Sequence, residues 1–375
     1  MAVYLDHAAS GPMHPAARDA MVDWMEGGFG NPSGSHAVAR RARLVVEEAR
    51  DVVGRFLGVA PAGVVFTSGG TEADNLAVLG PLGTRPGAVV VSAVEHPAVL
   101  EAAAGSDREV RILAVDADGV VDTDHLKLLL DGEVAVVSVQ TANHETGVVQ
   151  PIARIAKIVH RRAPGAVMHT DAVQAAAWMD VAAFCAAADL VTISGHKIGG
   201  PQGIGALGVR DHVDIRARAL GGGQEQERRS GTQNVAGIVG LAAAIRALDP
   251  ARGELVGRLR DLLGRLVLDT CPEAVLTAPS AEKLPGHCHI RFPGAESEAL
   301  LFLLDQKGIC ASAGAACASG AIEPSPVLLA MGVDKDGAGS SLRLTLGAGT
   351  TESDVRAAAA AIESAVSALR AGGRR

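Results

Sequence analysis

The sequence predicts an α/β protein that has a mostly parallel seven-stranded sheet and a second, smaller α+β domain. Seven short runs rich in Val, Ile and Ala alternate with helix-like stretches between about residues 64 and 210. The runs are apolar throughout, as in strands buried on both faces, and βαβ alternation places helices on both sides of a parallel sheet. The length of 375 residues is sufficient for one large domain and a smaller one.

The predicted elements follow in chain order. Strands of the sheet are predicted at Val64–Thr67, Ala88–Ser92, Val110–Val115, Val134–Val139, Val167–Thr170, Leu190–Ile193 and Ala206–Val209. Helices between them are predicted at Thr71–Leu79, Asp122–Leu130 and Ile152–Arg162. A long helical region, about Val235–Asp269, is interrupted near Asp249-Pro250, because proline disfavours helix at the preceding residue.

The part of the chain after about residue 271 mixes both kinds of element. Strands are predicted at His287–Phe292 and Ser341–Leu346, and helices at Glu296–Lys307 and Glu352–Leu369. This mixture predicts the second domain, which the first residues of the chain are expected to complete. We therefore expect a large domain at 16–250, and a small domain formed by 1–15 with 251–375.

Composition narrows the range of functions. The net charge is −8 and aromatic residues are 2% of the chain, so neither a basic surface nor aromatic stacking is available for direct nucleic-acid binding. No apolar run has the length of a membrane span, and the first residues lack a signal-peptide pattern. Five cysteines without regular spacing do not predict a disulfide framework. We expect a soluble cytoplasmic protein.

The most informative segment is Ser194-Gly195-His196-Lys197, which follows the apolar run 189–193. Lysine is almost never fully buried unless it is paired. A lysine at the mouth of a buried strand suits a Schiff-base lysine, whose lowered pKa leaves a nucleophilic amine. Taken alone, the segment is explained better by a solvated lysine in a Gly-rich turn, so the interpretation depends on the other segments.

Two segments supply partners for pyridoxal phosphate. The stretch Phe66–Glu72 predicts a strand, a Gly turn and a helix start, where free amides at Gly70 and Thr71 attract an anion, although a simple capped helix is an equal alternative. The strand 167–171 ends in Asp171, at the edge where open α/β sheets bind ligands. Asp171 can hold a pyridine nitrogen protonated and Gln174 can reach the phenolic oxygen. The alternative for Asp171 is a helix N-cap.

Four further candidates are weaker individually. His96 follows a strand and can stack on the cofactor ring and move protons near neutrality, or it is an ordinary turn histidine. Arg343 can clamp a substrate carboxylate, or it points to solvent. Cys317 lies among small residues that can move, or it packs as a small hydrophobe. Loop 221–232 can offer amides and a hydroxyl to phosphate, or it is a surface loop. The other cysteines are expected to be structural: Cys185, Cys271, Cys288 and Cys310.

In their order and spacing these segments resemble the cysteine desulfurases of the class V aminotransferase family. The resemblance covers nearly the whole chain, from Tyr4-Leu5-Asp6-His7-Ala8-Ala9 and Gly30-Asn31-Pro32-Ser33 to Gly347. It implies a fold-type I enzyme that depends on pyridoxal phosphate and works as a homodimer with sites at the subunit interface. The implied roles are Lys197 as the Schiff-base lysine, Asp171 as the pyridinium partner, Gln174 as the ligand of the phenolic oxygen, His96 as the ring-stacking acid/base, Gly70, Thr71, Ser194 and His196 as phosphate ligands, Thr232 as the phosphate ligand from the other protomer, Arg343 as the carboxylate clamp and Cys317 as the persulfide-forming nucleophile.

The resemblance also implies a reaction. L-Cysteine would become alanine, and its sulfur would pass as a persulfide on Cys317 to an acceptor protein such as an iron–sulfur scaffold. The loop that continues from Cys317 to Glu323-Pro324-Ser325 is similar to the branch that hands sulfur directly to proteins. No resident metal is implied, with Cys317 a candidate transient ligand of an iron–sulfur cluster. The alternatives are selenocysteine lysis, another class V reaction such as transamination, and a non-catalytic platform for sulfur-acceptor proteins.

Two segments depart from the family pattern. Asn143-His144-Glu145 stands where the family usually has Asn-Asn-Glu, whose second Asn helps hold the cofactor oxygen and the substrate carboxylate. We expect His144 at the substrate carboxylate, with a charge that varies with pH around neutrality. Ala9-Ser10-Gly11-Pro12 replaces the usual Ala-Thr-Thr-Pro and removes a threonine beside the expected substrate entry.

Overall fold

The computed structural model describes residues 2–249, 251–314 and 324–372. The strands are β1 (Val3–Tyr4), β2 (Val64–Thr67), β3 (Ala88–Ser92), β4 (Val110–Leu113), β5 (Val134–Ser138), β6 (Val167–Asp171), β7 (Leu190–Ser194), β8 (Gly205–Val209), β9 (Val275–Leu276), β10 (His287–Arg291), β11 (Ile309–Cys310) and β12 (Ser341–Thr345). The helices are α1 (Pro15–Gly27), α2 (Ala37–Leu57), α3 (Gly70–Leu82), α4 (Pro97–Ala104), α5 (Thr123–Leu129), α6 (Ile152–Arg162), α7 (Val181–Phe184), α8 (Val235–Arg246), α9 (Arg252–Thr270), α10 (Ser297–Gln306), α11 (Pro326–Ala330), α12 (Lys335–Ala338) and α13 (Glu352–Gly372). Short 3₁₀ turns lie at Pro61–Gly63, Gly195–Lys197 and Glu225–Glu227.

The large sheet has seven strands in the order β2-β8-β7-β6-β5-β3-β4. The pairs from β7 through β6, β5 and β3 to β4 are parallel, and β8 is antiparallel to both of its neighbours. The predicted mostly parallel sheet of seven strands is confirmed. Because β6 and β7 run side by side in the same direction, Asp171 and Ser194 both end their strands at one edge of the sheet, where open α/β sheets bind ligands.

Burial explains why these runs form central strands. Every residue of β3, β5, β6, β7 and β8 is buried, as expected for strands covered by helices on both faces. The edge strand β4 is different, because Ile112 is about half exposed there. β4 ends at Leu113, two residues before the predicted end at Val115. Strand ends are set by pairing with a neighbour, which a run of apolar residues does not report.

The sequence analysis does not predict α1 and α2. Both helices pack against α8. α2 buries apolar residues at intervals of three or four: Ala39, Ala42, Val46, Ala49, Val53 and Leu57. His36 caps its first turn by accepting the N–H of Ala39 at 3.2 Å. The spacing was a readable signal. The apolar periodicity of α2 is weak because alanine, a small residue, supplies much of its apolar face, while arginine supplies much of its polar face.

The second part of the molecule is built on an antiparallel sheet in the order β12-β10-β9. Helices α9, α10 and α13 pack around it, and its core is separate from that of the large sheet. This core contains Leu5, Leu263, Ile290, Leu344 and Ile362. β1 pairs with β11 in parallel and brings the first residues into this part. The two cores support the proposed domain limits, which remain a prediction.

The long helical region divides as expected. α8 ends at Arg246 and α9 begins at Arg252, on either side of Asp249. In the part of the chain that the structure describes, no helix is both long and apolar enough to cross a membrane.

Candidate active site

Lys197 lies at the end of the 3₁₀ turn that follows β7, and its side chain is only partly exposed. Its Nζ donates hydrogen bonds to the carbonyl of Ala8 and, at 2.8 Å, to the carbonyl of Ala9. Burial, assisted by the positive charge of Arg343, lowers the pKa of Lys197 to about 8. The residue is therefore not a solvated surface lysine, and a substantial fraction of its amine is neutral and nucleophilic in mildly alkaline solution.

Asp171 is buried at the carboxyl end of β6. Its Oδ1 accepts the N–H of Val173 at 2.8 Å. Burial raises the pKa of Asp171 to about 6, against the opposing effects of the Val173 N–H and the charge of Lys197. The carboxylate is ionised at neutral pH, so a further cation such as a protonated pyridine nitrogen is stabilised beside it.

Two further buried carboxyl groups, missed by the sequence analysis, lie near Asp171. They are Asp74 of α3 and Glu95, which follows β3. Burial is the main cause that raises the pKa of both, that of Glu95 to about 8, and the charge of Asp171 adds to it. His169 has its Nε2 3.6 Å from Oδ1 of Asp74, and burial lowers the pKa of His169 to about 3. Glu95, whose pKa is about 8, keeps its proton at pH 7, whereas Asp171, whose pKa is about 6, is ionised.

Four of the five predicted phosphate ligands, all except Thr232, line one cavity of about 310 Å³. Gly70 and Thr71 begin α3, where free backbone N–H groups and the helix dipole favour an anion. The remaining lining residues include Ser194, His196 and Ser10. Burial lowers the pKa of His196 to about 4, so its neutral ring acts by hydrogen bonding.

A glycine allows the turn before α3 to lie close to β8. A Cβ on Gly205 would lie 2.6 Å from the carbonyl carbon of Gly69, a distance that real Cβ atoms do not adopt. Only glycine fits there, and the turn that carries Gly70 and Thr71 rests directly on the first residue of β8. Since α3 begins at Gly70, the predicted helix start at Thr71 is one residue late.

A second cavity of about 1080 Å³ adjoins the first. Lys197, Gln174 and His287 are among its lining residues, and Ser10 lines both cavities. Nε2 of Gln174 donates to the carbonyl of Ala8 at 3.0 Å, so Gln174 and Lys197 share one acceptor. Ser10, which stands in the departing Ala-Ser-Gly-Pro segment, has its Oγ 3.3 Å from Nδ1 of His196.

His96 and His144 pack edge to face, with ring centroids 5.1 Å apart. His96 caps α4, since its Nδ1 accepts the N–H of Ala98 at 3.1 Å, and this leaves Nε2 for other partners. Burial and Lys197 lower the pKa of His96 to about 4, so the expected titration near neutrality is wrong.

The pH-dependent charge expected for His144 is also wrong. Burial, followed by the neighbouring His96 and Arg343, holds the pKa of His144 well below its ordinary value, and the ring stays neutral around pH 7. Its Nδ1 has no hydrogen-bond partner among the described residues. A buried polar atom of this kind calls for a partner, and a ligand can supply it.

Arg343 is buried on β12 rather than pointing to solvent. Its Nη2 donates to Oδ1 of Asp6 at 2.9 Å and its Nη1 donates to the carbonyl of His144 at 3.1 Å. Its Nε has no partner within residues 2–249, 251–314 and 324–372. The structure thus brings Arg343 and His144 together, and an unpaired donor remains on the guanidinium for a carboxylate. The role of Asp6 was missed, although its segment was part of the resemblance.

Thr232 is exposed and lies outside the residues that line the two cavities. The loop that carries it is nonetheless fastened by charge pairs that the sequence analysis missed. Glu225 is buried, pairs with Arg50 at 2.8 Å and accepts the N–H of Phe66 at 2.9 Å. Arg229 pairs with Glu72 of the first turn of α3 at 2.7 Å. The loop is therefore docked beside the cavity of Gly70 and Thr71.

Cys317 lies outside the described residues, as does Glu323 of the same loop. The described residues nearest to this segment are Gly314 and Pro324. Among the other cysteines, Cys185, Cys271 and Cys288 are buried and Cys310 is partly exposed; all four are free thiols.

The groups that the structure brings together fit pyridoxal phosphate. The amide-lined cavity at Gly70 and Thr71 suits the phosphate, and the buried carboxylate of Asp171 suits the ring nitrogen. The amine of Lys197, with its lowered pKa, suits the aldehyde. The phosphate, the ring nitrogen and the aldehyde of one ligand are thus each matched by a suitable protein group near the carboxyl ends of the strands of the large sheet.

Comparisons with known proteins agree on one family. The model of the class V aminotransferases matches residues 3–357. The IscS-like cysteine desulfurase of Mycobacterium tuberculosis (strain ATCC 25618 / H37Rv) is 41% identical over 383 aligned positions, covering 98% of this chain and 97% of the relative. A solved NifS-like protein superposes with a TM-score of 0.90 at 32% identity, covering 98% of this chain and 100% of that one. The solved structure of SspA in complex with cysteine has a TM-score of 0.81 at 27% identity and covers 92% and 98%.

Proposed function

Since this chain belongs to the class V aminotransferase family, and to the cysteine desulfurases within it, we propose that its site converts L-cysteine to L-alanine and keeps the sulfur as a persulfide on Cys317. The observation that carries the proposal is that Asp171, a buried carboxylate, ends β6, while Lys197, whose amine has a lowered pKa, lies in the turn after the adjacent parallel strand β7. This combination suits a carbonyl cofactor that has a basic ring nitrogen.

The residues that would hold pyridoxal phosphate are those that fit its parts. Gly70, Thr71, Ser194 and His196 would bind the phosphate, and Asp171 the ring nitrogen. Lys197 would supply the amine that bonds the aldehyde carbon, and Gln174 and His96 would contact the ring, as the resemblance implies. When bound, the cofactor supplies an electron sink for the carbon that it activates.

Arg343 and His144 would bind the carboxylate of cysteine. Nε of Arg343 and Nδ1 of His144 are two of the buried polar atoms that have no hydrogen-bond partner among the described residues. A carboxylate bound by a guanidinium forms charge-assisted hydrogen bonds, so its orientation is fixed as well as its charge. The relative whose solved structure holds cysteine is consistent with this substrate.

Proton movement falls to Lys197 and His96. A neutral amine on Lys197 can take the proton from Cα of cysteine and return it later, since its pKa lies near 8. His96 is neutral at pH 7 and its Nδ1 accepts the N–H of Ala98, so the ring proton is on Nε2, which acts as a hydrogen-bond donor.

The sulfur step is an attack by the Cys317 thiolate on the sulfur of bound cysteine. An S–S bond forms and the Cβ–S bond breaks, and the electron pair of that bond stays with the carbon fragment, which takes up a proton and leaves as alanine. A persulfide is a reversible sulfur carrier, so an acceptor protein such as an iron–sulfur scaffold would then collect it.

The assembly and compartment belong to the same proposal. A homodimer would bring Thr232 of one protomer to the phosphate of the other, which agrees with its exposed position outside both cavities. The four free cysteines among the described residues agree with a reducing compartment such as the cytoplasm.

The test is the Cys317→Ala variant, with Cys310→Ala as the matched control. We expect Cys317→Ala to retain the cofactor's absorbance and its change on adding cysteine, while alanine production falls to background. Cys310→Ala should behave as the unaltered protein. Undiminished alanine production by Cys317→Ala would overturn the persulfide role. Absence of cofactor absorbance in the unaltered protein would favour a non-catalytic platform, and a preference for selenocysteine would favour the lyase.

A further inference from the structure

Glu145 is a buried carboxyl group that contacts both described flanks of the segment containing Cys317. Its side chain is about 1% exposed. Oε2 accepts the hydroxyl of Ser325 at 2.5 Å. Gly314 has a φ of +88°, and a Cβ there would lie 2.6 Å from the same Oε2, so the backbone of Gly314 rests directly on the carboxyl group. One side chain therefore contacts the chain just before residue 315 and just after residue 323.

The position of Glu145 is set from the substrate side of the site. Oδ1 of Asn143 accepts the N–H groups of Glu145 at 2.9 Å and of Thr146 at 2.8 Å, and Nδ2 of Asn143 donates to the carbonyl of Val94 at 3.0 Å. The preceding residue, His144, accepts Nη1 of Arg343 through its carbonyl. Glu145 is thus fixed to the residues proposed to bind cysteine, although Ser325 is 180 positions away in sequence.

A purely packing role does not explain a carboxyl group at this place. Oε1 of Glu145 has no hydrogen-bond partner in the described part of the chain and lies 3.7 Å from Nε2 of His144. Burial raises the pKa of Glu145, opposed by the Ser325 hydroxyl and by Arg343. An apolar side chain would fill the same space without the free-energy cost of a buried, unpaired oxygen atom. The hydrogen bond from Ser325 to the carboxyl group offsets that cost.

The contact with Ser325 also orders the chain beyond it. Ser325 is the N-cap of α11, where its Oγ accepts the N–H of Leu328 at 3.1 Å. On the other flank, Ser312 and Arg343 exchange both backbone hydrogen bonds, at 2.7 and 3.2 Å. Both flanks are therefore held by residues that border the proposed substrate site. Ser325, after the segment, is held by the carboxyl group of Glu145. The chain before the segment is held by Glu145 and also by the backbone of Arg343.

Resting on the proposed role of Cys317, we propose that Glu145 is a positioning residue for sulfur transfer, because its contacts with Gly314 and Ser325 fix both flanks of the Cys317 segment relative to Arg343 and His144. It touches neither cysteine nor the cofactor in this role. Its effect is on the distance between the thiol of Cys317 and the sulfur of bound cysteine, and a misplacement of about 1 Å in such a step can slow it about a hundredfold.

The experiment separates cysteine binding from sulfur transfer in the loaded enzyme. Cysteine affinity is measured from the absorbance change of the cofactor, and the persulfide on Cys317 is measured by mass spectrometry in a single turnover. The variants are Glu145→Ala and Ser325→Ala, with Glu145→Gln to keep an acceptor for Ser325. Glu133→Gln, at an exposed glutamate outside the site, is the matched control.

We expect Glu145→Ala and Ser325→Ala to slow persulfide formation by about 10- to 100-fold, while cysteine affinity and cofactor content change less than about threefold. Glu145→Gln should recover most of the rate, since its amide oxygen can still accept the Ser325 hydroxyl. In the cofactor-free protein, hydrogen exchange at Gly314 and Leu328 should be faster in both alanine variants than in Glu133→Gln.

Two results would overturn the inference. The first is a persulfide rate in Ser325→Ala equal to that of Glu133→Gln. The second is a parallel loss of cofactor, cysteine affinity and persulfide rate, which marks a general structural role. If Glu145→Ala does not fold, Ser325→Ala still tests the inference, because it removes only one hydroxyl group. Failure of the proposed function is distinct, because it appears as undiminished alanine production by Cys317→Ala.

Discussion

The two sides of the site are held in different ways. On the cofactor side, Asp171 and Ser194 end adjacent strands of one hydrogen-bonded sheet, and their relative position follows from the strand register. On the substrate side, Arg343 contacts Asp6 and the carbonyl of His144, which lie 337 and 199 positions away in sequence. Backbone pairing therefore fixes Asp171 and Ser194 relative to each other, whereas side-chain contacts between distant segments fix the guanidinium of Arg343. Substitutions should act selectively on one side or the other.

The largest effect should come from breaking the buried pair that docks loop 221–232 beside the phosphate cavity. Arg50→Met keeps much of the side-chain volume but leaves the carboxylate of Glu225 buried without its cation. We expect the free energy of unfolding to fall by about 3–5 kcal/mol in urea titrations. Retention of the cofactor should weaken as well, while the cysteine affinity of the loaded fraction stays the same.

The control for Arg50→Met is Arg258→Ala, which breaks the exposed pair of Arg258 with Glu254 on α9. Exposed pairs contribute little, so stability should hardly change. A loss in Arg50→Met no larger than that of the control would show that the buried pair does not hold the cofactor side.

A smaller effect, on the opposite side, should come from Arg343→Lys. Lysine keeps the positive charge but cannot reach Asp6, the carbonyl of His144 and a carboxylate together in the geometry of a guanidinium. We expect cysteine affinity to fall by about 10- to 100-fold with cofactor content unchanged, measured by the absorbance change on adding cysteine. Arg356→Lys, at an exposed pair on α13, is the control. Equal losses of cofactor and of cysteine binding would contradict the division into two sides.

A graded effect, at most about 1.4 kcal/mol for each unit of pH, concerns the buried acids of the cofactor side. The folded protein holds a proton on Glu95, whose pKa is about 8 instead of 4.5, while the unfolded chain releases it. The stability due to this proton is fully present below the unfolded pKa of about 4.5 and is lost as pH rises to about 8. Glu95→Gln removes the dependence, because its amide does not titrate.

The measurement is the free energy of unfolding of cofactor-free protein and of Glu95→Gln at several pH values between these two pKa values. Relative to the unaltered protein, the variant should gain at most about 1.4 kcal/mol for each unit of pH increase. Glu133→Gln, at an exposed glutamate, is the control. A constant difference for Glu95→Gln would mean that Glu95 does not keep its proton in the folded state.

The features that could be predicted from the sequence lie mostly on the cofactor side of the site. The sheet, its seven strands, and the positions of Asp171, Ser194 and Lys197 at strand ends could be predicted, because buried parallel strands are marked by local composition. The helix start near Gly70 and Thr71 could also be predicted, since a helix start is local, but an anion site and a simple capped helix were equal alternatives there. These features need only nearby residues in the chain.

The features that were missed depend on contacts between distant residues. The pairing of Arg343 with Asp6 and the contact of Glu145 with Ser325 have no local signal. The neutral states of His96 and His144 come from burial by the folded chain, which an isolated histidine does not reveal. Cys317 could be proposed from its small-residue segment and from the resemblance, and its role remains a prediction.

The pairing of β1 with β11 has a consequence for the order in which the protein is made. The seven strands of the large sheet are complete once residue 209 has been synthesised, but Val3 and Tyr4 have no strand to join until Ile309 and Cys310 follow. At the usual rates of synthesis, the roughly 300 intervening residues correspond to roughly 15–60 s. During that time the large sheet, which carries the cofactor side, can fold in the nascent chain before β11, the strand that β1 pairs with, has been synthesised.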